Sequence, residues 1–196
     1  MLKQWINQNY LKPKKLSQKF LNNKPFPYLE LKDFFIKNKL IQVLKALSKE
    51  SFYLKDSDLF TFFQNNDLKS TKNKTLHNFR TFLKSKEFGV YLTSITGKNY
   101  SDSIDCFGTI YQDTNYLLPH DDQLEKRKLA YFIYLTNLRK QDGGSLCLYK
   151  NDFVAAKITP KLNTFAFFEV SKNSLHAVEE VINKRRITIT GWFYDQ

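Results

Sequence analysis

The sequence reads PHDD at residues 119–122, SLHAV at residues 174–178 and RRITITGW at residues 185–192, and the fold assignment rests on these three stretches. Alternate side chains of an extended strand project from one face, so His120 and Asp122 are predicted to point the same way. A second histidine, His176, lies in a run that also reads as extended. Two imidazoles and one carboxylate, with three coordination positions left open, are typical of a redox-active ferrous site for oxygen chemistry, and zinc is the competing metal.

Ten residues after His176 comes Arg186, whose planar guanidinium presents a rigid fork of donors that suits a carboxylate bound through both oxygens. It opens an alternating strand in which Thr188 and Thr190 share its face and two isoleucines occupy the other. An H-x-D triplet alone is a weak signal. The chain has only 3 histidines, however, and two of them fall in this pattern with an arginine downstream. Because so few histidines are present, their place in this pattern favours a functional site over unrelated structural residues.

The combination of H-x-D, a distal histidine and R-x-T resembles the 2-oxoglutarate and iron(II)-dependent oxygenases. More narrowly, four runs resemble the prolyl hydroxylase branch that acts on a ribosomal protein: PHDDQLEKRKLAYFIYLTN, GGSLCLY, NTFAFFEVSKNSLHAVEEV and RRITITGWF. The resemblance implies a mainly β protein with flanking helices, built on a double-stranded β-helix, a jelly-roll barrel of the cupin-like kind. Because one fold hosts many functions, the functional argument rests on the site residues.

The resemblance implies a role for each of four residues. His120, Asp122 and His176 would bind Fe(II), which leaves positions for 2-oxoglutarate and O2. Arg186 would pair with the distal carboxylate of 2-oxoglutarate. The implied reaction couples oxidative decarboxylation of 2-oxoglutarate, to succinate and carbon dioxide, to hydroxylation of an unactivated carbon, with ascorbate as a further expected reductant.

Four further residues are predicted to surround the same site. Tyr111 and Tyr134 match two tyrosines that help to seat the cosubstrate in similar prolyl hydroxylases. Thr188 lies on the face of Arg186 and could donate to the same carboxylate, while Trp192 could wall the metal site. For Tyr111 and Trp192, a place in the aromatic core is an equal alternative; for Tyr134 the site is favoured.

The length of 196 residues and the 42% hydrophobic content predict a single folded domain over residues 25–196. Helical support is expected over about 33–97 and the barrel over about 104–194. Similar enzymes that act on the ribosome in eukaryotes carry a second, degenerate barrel. This chain ends at Gln196, so a minimal, single-domain version is expected.

Residues 1–24 form a basic segment without any acidic residue. The segment lacks arginine and has only one serine, which disfavours an organellar transit signal. Trp5, Ile6 and Tyr10 could line one side of a short helix, so docking on the barrel is predicted. Further along, Asp33 is predicted to cap a helix. The loop over residues 65–74 is a candidate substrate-side loop, with a merely solvated loop as the favoured alternative.

The formal net charge of +12 favours a polyanionic neighbourhood, unless the lysine-rich composition reflects genome bias. With the resemblance, it predicts a proline-containing ribosomal protein as substrate and contact with ribosomal RNA. Cys106 and Cys147 are too few for a disulfide framework, and no apolar run is long enough to cross a membrane. We therefore expect a cytoplasmic protein, or a nuclear one in a eukaryotic host, without a membrane partner. The oligomeric state stays open.

Three other functions remain as alternatives. The chain could hydroxylate another translation-related protein or a free amino acid, or it could be a catalytically inactive module that binds the ribosome or RNA. Nucleic-acid demethylases with a similar metal motif carry a second arginine six residues after the oxoglutarate one, where this chain has Trp192. The presence of all four essential residues argues against an inactive module.

Overall fold

The computed structural model describes residues 1–124 and 126–196, and its strands form a nearly closed, barrel-like sheet. Every strand pairing in the sheet is antiparallel. The strands are β1 (Tyr28–Leu31), β2 (Tyr53–Ser57), β3 (Phe60–Gln64), β4 (Phe107–Tyr111), β5 (Tyr116–His120), β6 (Arg127–Tyr134), β7 (Leu146–Lys150), β8 (Phe153–Ile158), β9 (Thr164–Glu169), β10 (His176–Val178) and β11 (Arg186–Tyr194). The predicted mainly β barrel is confirmed.

The strand order shows how the two halves of the barrel are joined. Strands β1, β9, β6, β11 and β4 follow one another in one half, and β5, β10, β7 and β8 in the other. Strand β3 pairs with both β4 and β5, and so connects the halves, while β2 pairs with β3. The hairpin of β2 and β3 lies in the stretch for which the sequence predicts helical support. That prediction is therefore incomplete.

The helices cover one face of the first half of the sheet. They are α1 (Leu2–Trp5), α2 (Lys14–Asn22), α3 (Lys37–Leu47), α4 (Lys74–Leu83) and α5 (Lys86–Thr96). The side chain of Asn73 accepts hydrogen bonds at the start of α4, and Ser85 does so at the start of α5. Gly97 ends α5 with a left-handed φ of 71°, as glycine readily does. None of the helices in the described ranges is long and apolar enough to cross a membrane.

Alternation along the central strands separates two cores. Tyr131 and Ile133 of β6 point into the core beneath the helices, whereas Phe132 and Tyr134 point into the barrel. In the helical core, the Phe165 ring lies 4.8 Å from that of Phe34, centroid to centroid. Fully burying one such side chain contributes about 1.5–3 kcal/mol, so this aromatic core is a main source of stability. The side chains that point into the barrel, such as Phe132 and Tyr134, are available to form a site.

The N-terminal segment docks on the helical core, whereas the sequence predicts docking on the barrel. Trp5 and Ile6 are buried, and Ile6 forms an isolated β-bridge with Phe35. The Trp5 ring lies 5.1 Å from the ring of Phe79 in α4, centroid to centroid. The segment is therefore held by packing rather than extended into solvent.

The prediction that Asp33 caps a helix is wrong. Asp33 has a φ of 52°, and α3 begins only at Lys37. The intervening Phe35 is held extended, because the side chain of Asn163 accepts from its N–H at 2.9 Å and donates to its C=O at 2.9 Å. The Asn163 side chain thus pairs with the backbone of Phe35 as a neighbouring strand would. Residue 35 therefore stays extended, and α3 begins after it.

The loop over residues 65–74 is anchored to the barrel and does not line the main cavity. The Asn65 side chain accepts from the N–H of Gly108 at 2.7 Å, and the Asp67 carboxylate accepts from the N–H of Cys106 at 2.9 Å. Leu68 is fully buried. The outer side of the loop is solvated, because Asn66, Lys69 and Lys72 are exposed, while Asn65 and Leu68 hold its inner side against the barrel.

Candidate active site

His120, Asp122 and His176 meet inside the second half of the barrel. One potential ligand atom from each lies within 4.8 Å of the others. The register of β5 against β10 places His120 directly opposite His176, with ring centroids 4.1 Å apart. The Nε2 atom of each imidazole lies 3.4 Å from a carboxylate oxygen of Asp122. The three residues that the sequence pattern groups together are thus brought together by the fold.

Backbone carbonyls orient both imidazoles. The Nδ1 atom of His120 lies 2.9 Å from the carbonyl oxygen of Leu118, and that of His176 lies 2.8 Å from the carbonyl oxygen of Ser174. A carbonyl oxygen only accepts, so each Nδ1 carries the proton. In the neutral imidazole the lone pair of Nε2 is then free for a metal ion, in the arrangement that usually supports a histidine ligand, whereas only a protonated imidazole donates through Nε2 to Asp122.

Asp122 reaches the site by a turn and not by strand alternation, so that part of the sequence argument is wrong. Strand β5 ends at His120, and Asp122 has a φ of 61°, a left-handed conformation that aspartate tolerates better than most residues. Its carboxylate Oδ2 accepts a hydrogen bond of 2.9 Å from the indole Nε1 of Trp192. The carboxylate is therefore held by a side chain from β11.

Charge within the triad favours an ionised carboxylate. Burial alone would raise the pKa of Asp122, but hydrogen bonds from His120 and His176 and their charge outweigh it and hold that pKa well below its usual range. Burial lowers the pKa of His120, yet its hydrogen bond to Asp122 outweighs this effect, and the pKa is raised. Asp122 thus provides an anionic oxygen ligand at neutral pH.

The triad and Arg186 line one cavity with a volume of about 250 Å³. The walls come from both halves of the barrel and from the β2–β3 hairpin. The lining residues are Leu59, Phe60, Phe62, Gln64, Phe107, Thr109, Tyr111, Leu117, Leu118, His120, Asp122, Arg127, Ala130, Phe132, His176, Arg186, Thr190 and Trp192. One small molecule in this cavity could therefore reach both the triad and the Arg186 guanidinium.

Arg186 is a buried cation whose donors are largely unused. The residue is 1% exposed, and its Nε and Nη2 atoms have no hydrogen-bond partner among residues 1–124 and 126–196. Its guanidinium carbon lies 4.9 Å from the ring centroid of Tyr111 and 5.2 Å from that of Tyr134. The buried hydroxyl of Tyr134 also lacks a hydrogen-bond partner in the part of the chain that the structure describes. A fork of free donors beside a free hydroxyl is the arrangement that a carboxylate would satisfy.

The other predicted site residues lie around these two centres. Tyr111 lines the cavity, and burial raises the pKa of its hydroxyl and that of Tyr134, so both stay protonated donors. Trp192 lines the cavity and contacts Asp122. Thr188 is fully buried and is not among the residues that line the cavity; its Oγ1 accepts a long hydrogen bond of 3.5 Å from Arg186 Nη1.

The sequence reasoning missed Arg127 and the wall formed by the hairpin. The Arg127 guanidinium carbon lies 3.5 Å from the ring centroid of Trp192, and its Nη1 lies 3.8 Å from Asp122 Oδ1. The rings of Phe60 and Phe62 lie side by side, 5.2 Å apart, and Phe62 stacks on Tyr111 at 5.0 Å. A run of alternating phenylalanines in FTFFQ is a strand signal that could have located this wall.

The donor set fits the cofactors that the sequence resemblance implies. Two neutral imidazoles and one carboxylate with open positions suit non-heme Fe(II), and Arg186 with Tyr134 suits one carboxylate of 2-oxoglutarate. His120, Asp122 and His176 could hold the metal, with O2 as the third reactant. The same ligand types also bind zinc.

Comparison with known proteins places this site in a family. The family model described as the 2OG-Fe(II) oxygenase superfamily matches residues 107–194, which include the triad and Arg186. Prolyl 3-hydroxylase OGFOD1 from Xenopus laevis is 35% identical over 184 residues, which cover 89% of this chain and 36% of the relative. Prolyl 3,4-dihydroxylase OGFOD1 from Ostreococcus tauri is 35% identical over 199 residues, with 89% and 39% covered. The chain thus spans little more than a third of these curated relatives.

A solved structure shows the same fold at low sequence identity. It is a prolyl hydroxylase from Trichoplax adhaerens in complex with a hypoxia inducible factor oxygen degradation domain peptide fragment. The TM-score is 0.75 at 16% identity, and 96% of this chain and 91% of that chain are covered. The relatives match almost the whole chain, and the family model falls on the strands that carry the site. We conclude that this chain belongs to the 2OG-Fe(II) oxygenase superfamily.

Proposed function

We propose that this protein is a 2-oxoglutarate- and Fe(II)-dependent dioxygenase that hydroxylates a prolyl residue of a protein substrate. The observation that carries the proposal is a single cavity that joins the triad to Arg186, a buried cation with unpaired donors. The relatives named as prolyl hydroxylases support the choice of proline.

When bound, Fe(II) with 2-oxoglutarate and O2 supplies oxidation of an unactivated carbon, coupled to decarboxylation of the cosubstrate. His120, Asp122 and His176 hold the metal. Arg186 fixes the distal carboxylate with its fork of donors, which orients the other end of the cosubstrate. Apolar walls such as Phe132 keep water out of the cavity.

The mouth of the cavity supports a polypeptide substrate over a free amino acid. Leu59 and Leu118 line the cavity, yet they are 56% and 43% exposed, and the N–H of Leu118 donates to the carbonyl of Leu59 at 2.8 Å. This apolar rim suits residues that flank a target proline. Among the described lining residues, Asp122 offers the one carboxylate, and a free amino acid would need another for its ammonium group.

For the substrate itself, we propose a protein of the small ribosomal subunit. The motifs around His120, His176 and Arg186 support this choice, and so does the net charge of +12, which suits a target beside ribosomal RNA. Helix α2 contributes the exposed Lys14 and Lys15 to this basic character. A cytoplasmic location would bring the enzyme to that target. Charge-steered capture should weaken steeply with salt, whereas cosubstrate binding should not.

The test is to incubate the purified protein with Fe(II), 2-oxoglutarate and intact small-subunit ribosomal proteins, and to search proline-containing peptides by mass spectrometry. We expect a gain of about 16 Da on proline, the mass of one oxygen atom, accompanied by succinate. Asp122→Ala is the matched inactive control. Leu59→Asp should slow polypeptide hydroxylation while 2-oxoglutarate binding persists. Oxygen found only on a free amino acid or a nucleobase would redirect the assignment, and failure to turn over 2-oxoglutarate would point to an inactive binding module.

A further inference from the structure

A row of polar side chains crosses the barrel at one level. The strand registers pair Gln64 with Thr109, Thr109 with Thr188, Thr188 with Tyr134, and Tyr134 with Thr164. Paired residues of antiparallel strands lie side by side on the same face, so the five side chains form one continuous row. Two residues nearer the start of β11, on the same face, Arg186 pairs with Tyr111. The row therefore runs beside the buried cation.

Two threonines of this row form a hydroxyl pair. Thr109 Oγ1 and Thr188 Oγ1 are 2.6 Å apart, and both residues are buried. A guanidinium has donors only, so the oxygen of Thr188 accepts from Arg186 Nη1 at 3.5 Å. The hydrogen bond between the two hydroxyls uses one of their two protons. One hydroxyl proton is therefore left to donate elsewhere.

The shape of the cavity indicates which hydroxyl carries the free proton. Thr109 lines the cavity, whereas Thr188 is fully buried and is not among the lining residues. If Thr188 donates to Thr109, then Thr109 can donate into the cavity, and each hydroxyl proton is used. The opposite direction would leave the free proton on Thr188, which is not among the residues that line the cavity. Buried hydroxyl groups rarely leave a proton unpaired, so the first direction is favoured.

We propose that Thr109 donates a hydrogen bond to the carboxylate that pairs with Arg186, and that Thr188 is a positioning residue that orients the Thr109 hydroxyl. This inference rests on the proposed function, because it takes that carboxylate to be the distal one of 2-oxoglutarate. It reassigns to Thr109 the donor role that the sequence pattern gives to Thr188. A hydrogen bond to a carboxylate is charge-assisted, so its loss should be measurable as weaker binding.

The experiment compares Thr109→Val, which removes the hydroxyl at nearly constant shape, with Thr109→Ser, which keeps it. Calorimetry measures 2-oxoglutarate binding to the Fe(II)-loaded protein without oxygen. We expect Thr109→Val to weaken binding about tenfold to a hundredfold, the usual worth of a hydrogen bond to a charged group. Thr109→Ser should bind nearly as tightly as the parent. Thr61→Val, which alternates with the cavity-lining Phe60 and Phe62, is the matched control and should leave binding unchanged.

Two further measurements separate contact from structural damage. The urea midpoint and the Fe(II) affinity without 2-oxoglutarate should be the same in Thr109→Val and the parent, because the hydrogen bond that the described residues give the Thr109 hydroxyl goes to Thr188 and not to the triad. Equal binding of 2-oxoglutarate by Thr109→Val and the parent would overturn the inference and leave the proposed function intact. Loss of Fe(II) affinity together with 2-oxoglutarate affinity, without rescue by serine, would also overturn it. A parent protein that binds no 2-oxoglutarate would overturn both.

Discussion

Replacing Arg186 by methionine should stabilise the ligand-free protein while it abolishes 2-oxoglutarate binding. Arg186 is 1% exposed, its Nε and Nη2 atoms are unpaired, and no carboxylate in the described residues forms an ion pair with it. Removing a cation of this kind from water costs several kcal/mol, and no full counter-charge offsets the cost. Arg186 is therefore retained for binding and not for stability.

The expected gain follows from its surroundings. Replacing buried charged groups with apolar residues of similar volume has stabilised other proteins by about 1–4 kcal/mol. Here the guanidinium carbon lies 4.9 Å from the ring centroid of Tyr111, 5.2 Å from that of Tyr134 and 6.0 Å from that of Phe132. Each such contact stabilises the cation by about 0.5–1 kcal/mol or more, which offsets part of the cost of burial. We therefore expect the lower end, about 1–2 kcal/mol, for Arg186→Met.

Urea unfolding with and without 2-oxoglutarate measures both effects in one series, with the metal-loaded protein kept free of oxygen. Without 2-oxoglutarate, the methionine variant should unfold at higher urea than the parent. At a hundred times the dissociation constant, 2-oxoglutarate should stabilise the parent by about 2.7 kcal/mol and reverse the order. A methionine variant that is less stable without 2-oxoglutarate would refute the reasoning that Arg186 is an uncompensated buried charge. A parent that 2-oxoglutarate does not stabilise would remove Arg186 from the proposed binding site.

Three further predictions test the metal site and its frame. Trp192→Phe removes the indole donor to Asp122 and should weaken Fe(II) binding about 10–100-fold, as calorimetry would show; unchanged affinity would contradict this. Metal needs a neutral imidazole, so Fe(II) affinity should fall as pH drops through the pKa of His120, which lies above its ordinary value; a titration that stays flat there would be inconsistent. Gly143→Ala should destabilise the fold by about 1–3 kcal/mol in urea, because φ is +65° and the new Cβ would clash with the carbonyl oxygen of Glu180. An unchanged urea midpoint would contradict this.

Strand alternation was the strongest predictor of the site. The pattern from Arg186 to Trp192 places the arginine on the barrel face and Ile189 in the helical core, as the structure has them. The sequence also brings His120 and His176 into one group, although nothing in it reveals that β5 and β10 pair directly. Two observations grouped these histidines where residue spacing could not: the chain has only 3 histidines, and its motifs resemble those of a known family. The fold class was predictable because of the same family resemblance.

Local strand logic failed where the backbone leaves the strand. Asp122 lies beyond β5 with a positive φ, so its direction depends on the turn and on the hydrogen bond from Trp192. Arg127 could not be assigned a face, because the register of β6 against β11 shifts between Leu129 and Arg127. That shift breaks the alternation that predicts Phe132 as a wall residue. Features that depend on a bulge or a distant side chain are not encoded in a local pattern.

The central strands carry stability on one face and chemistry on the other, which limits how the site can change. On β6, Tyr131 and Ile133 pack beneath the helices, while Phe132 and Tyr134 surround the cavity. A one-residue slip of this strand would bring the hydroxyl of Tyr134 into the helical core and take a core residue into the cavity. The aromatic core under the helices therefore fixes the register, and the register places the donors around Arg186. The donors can stay unpaired in the free protein because the core does not depend on them.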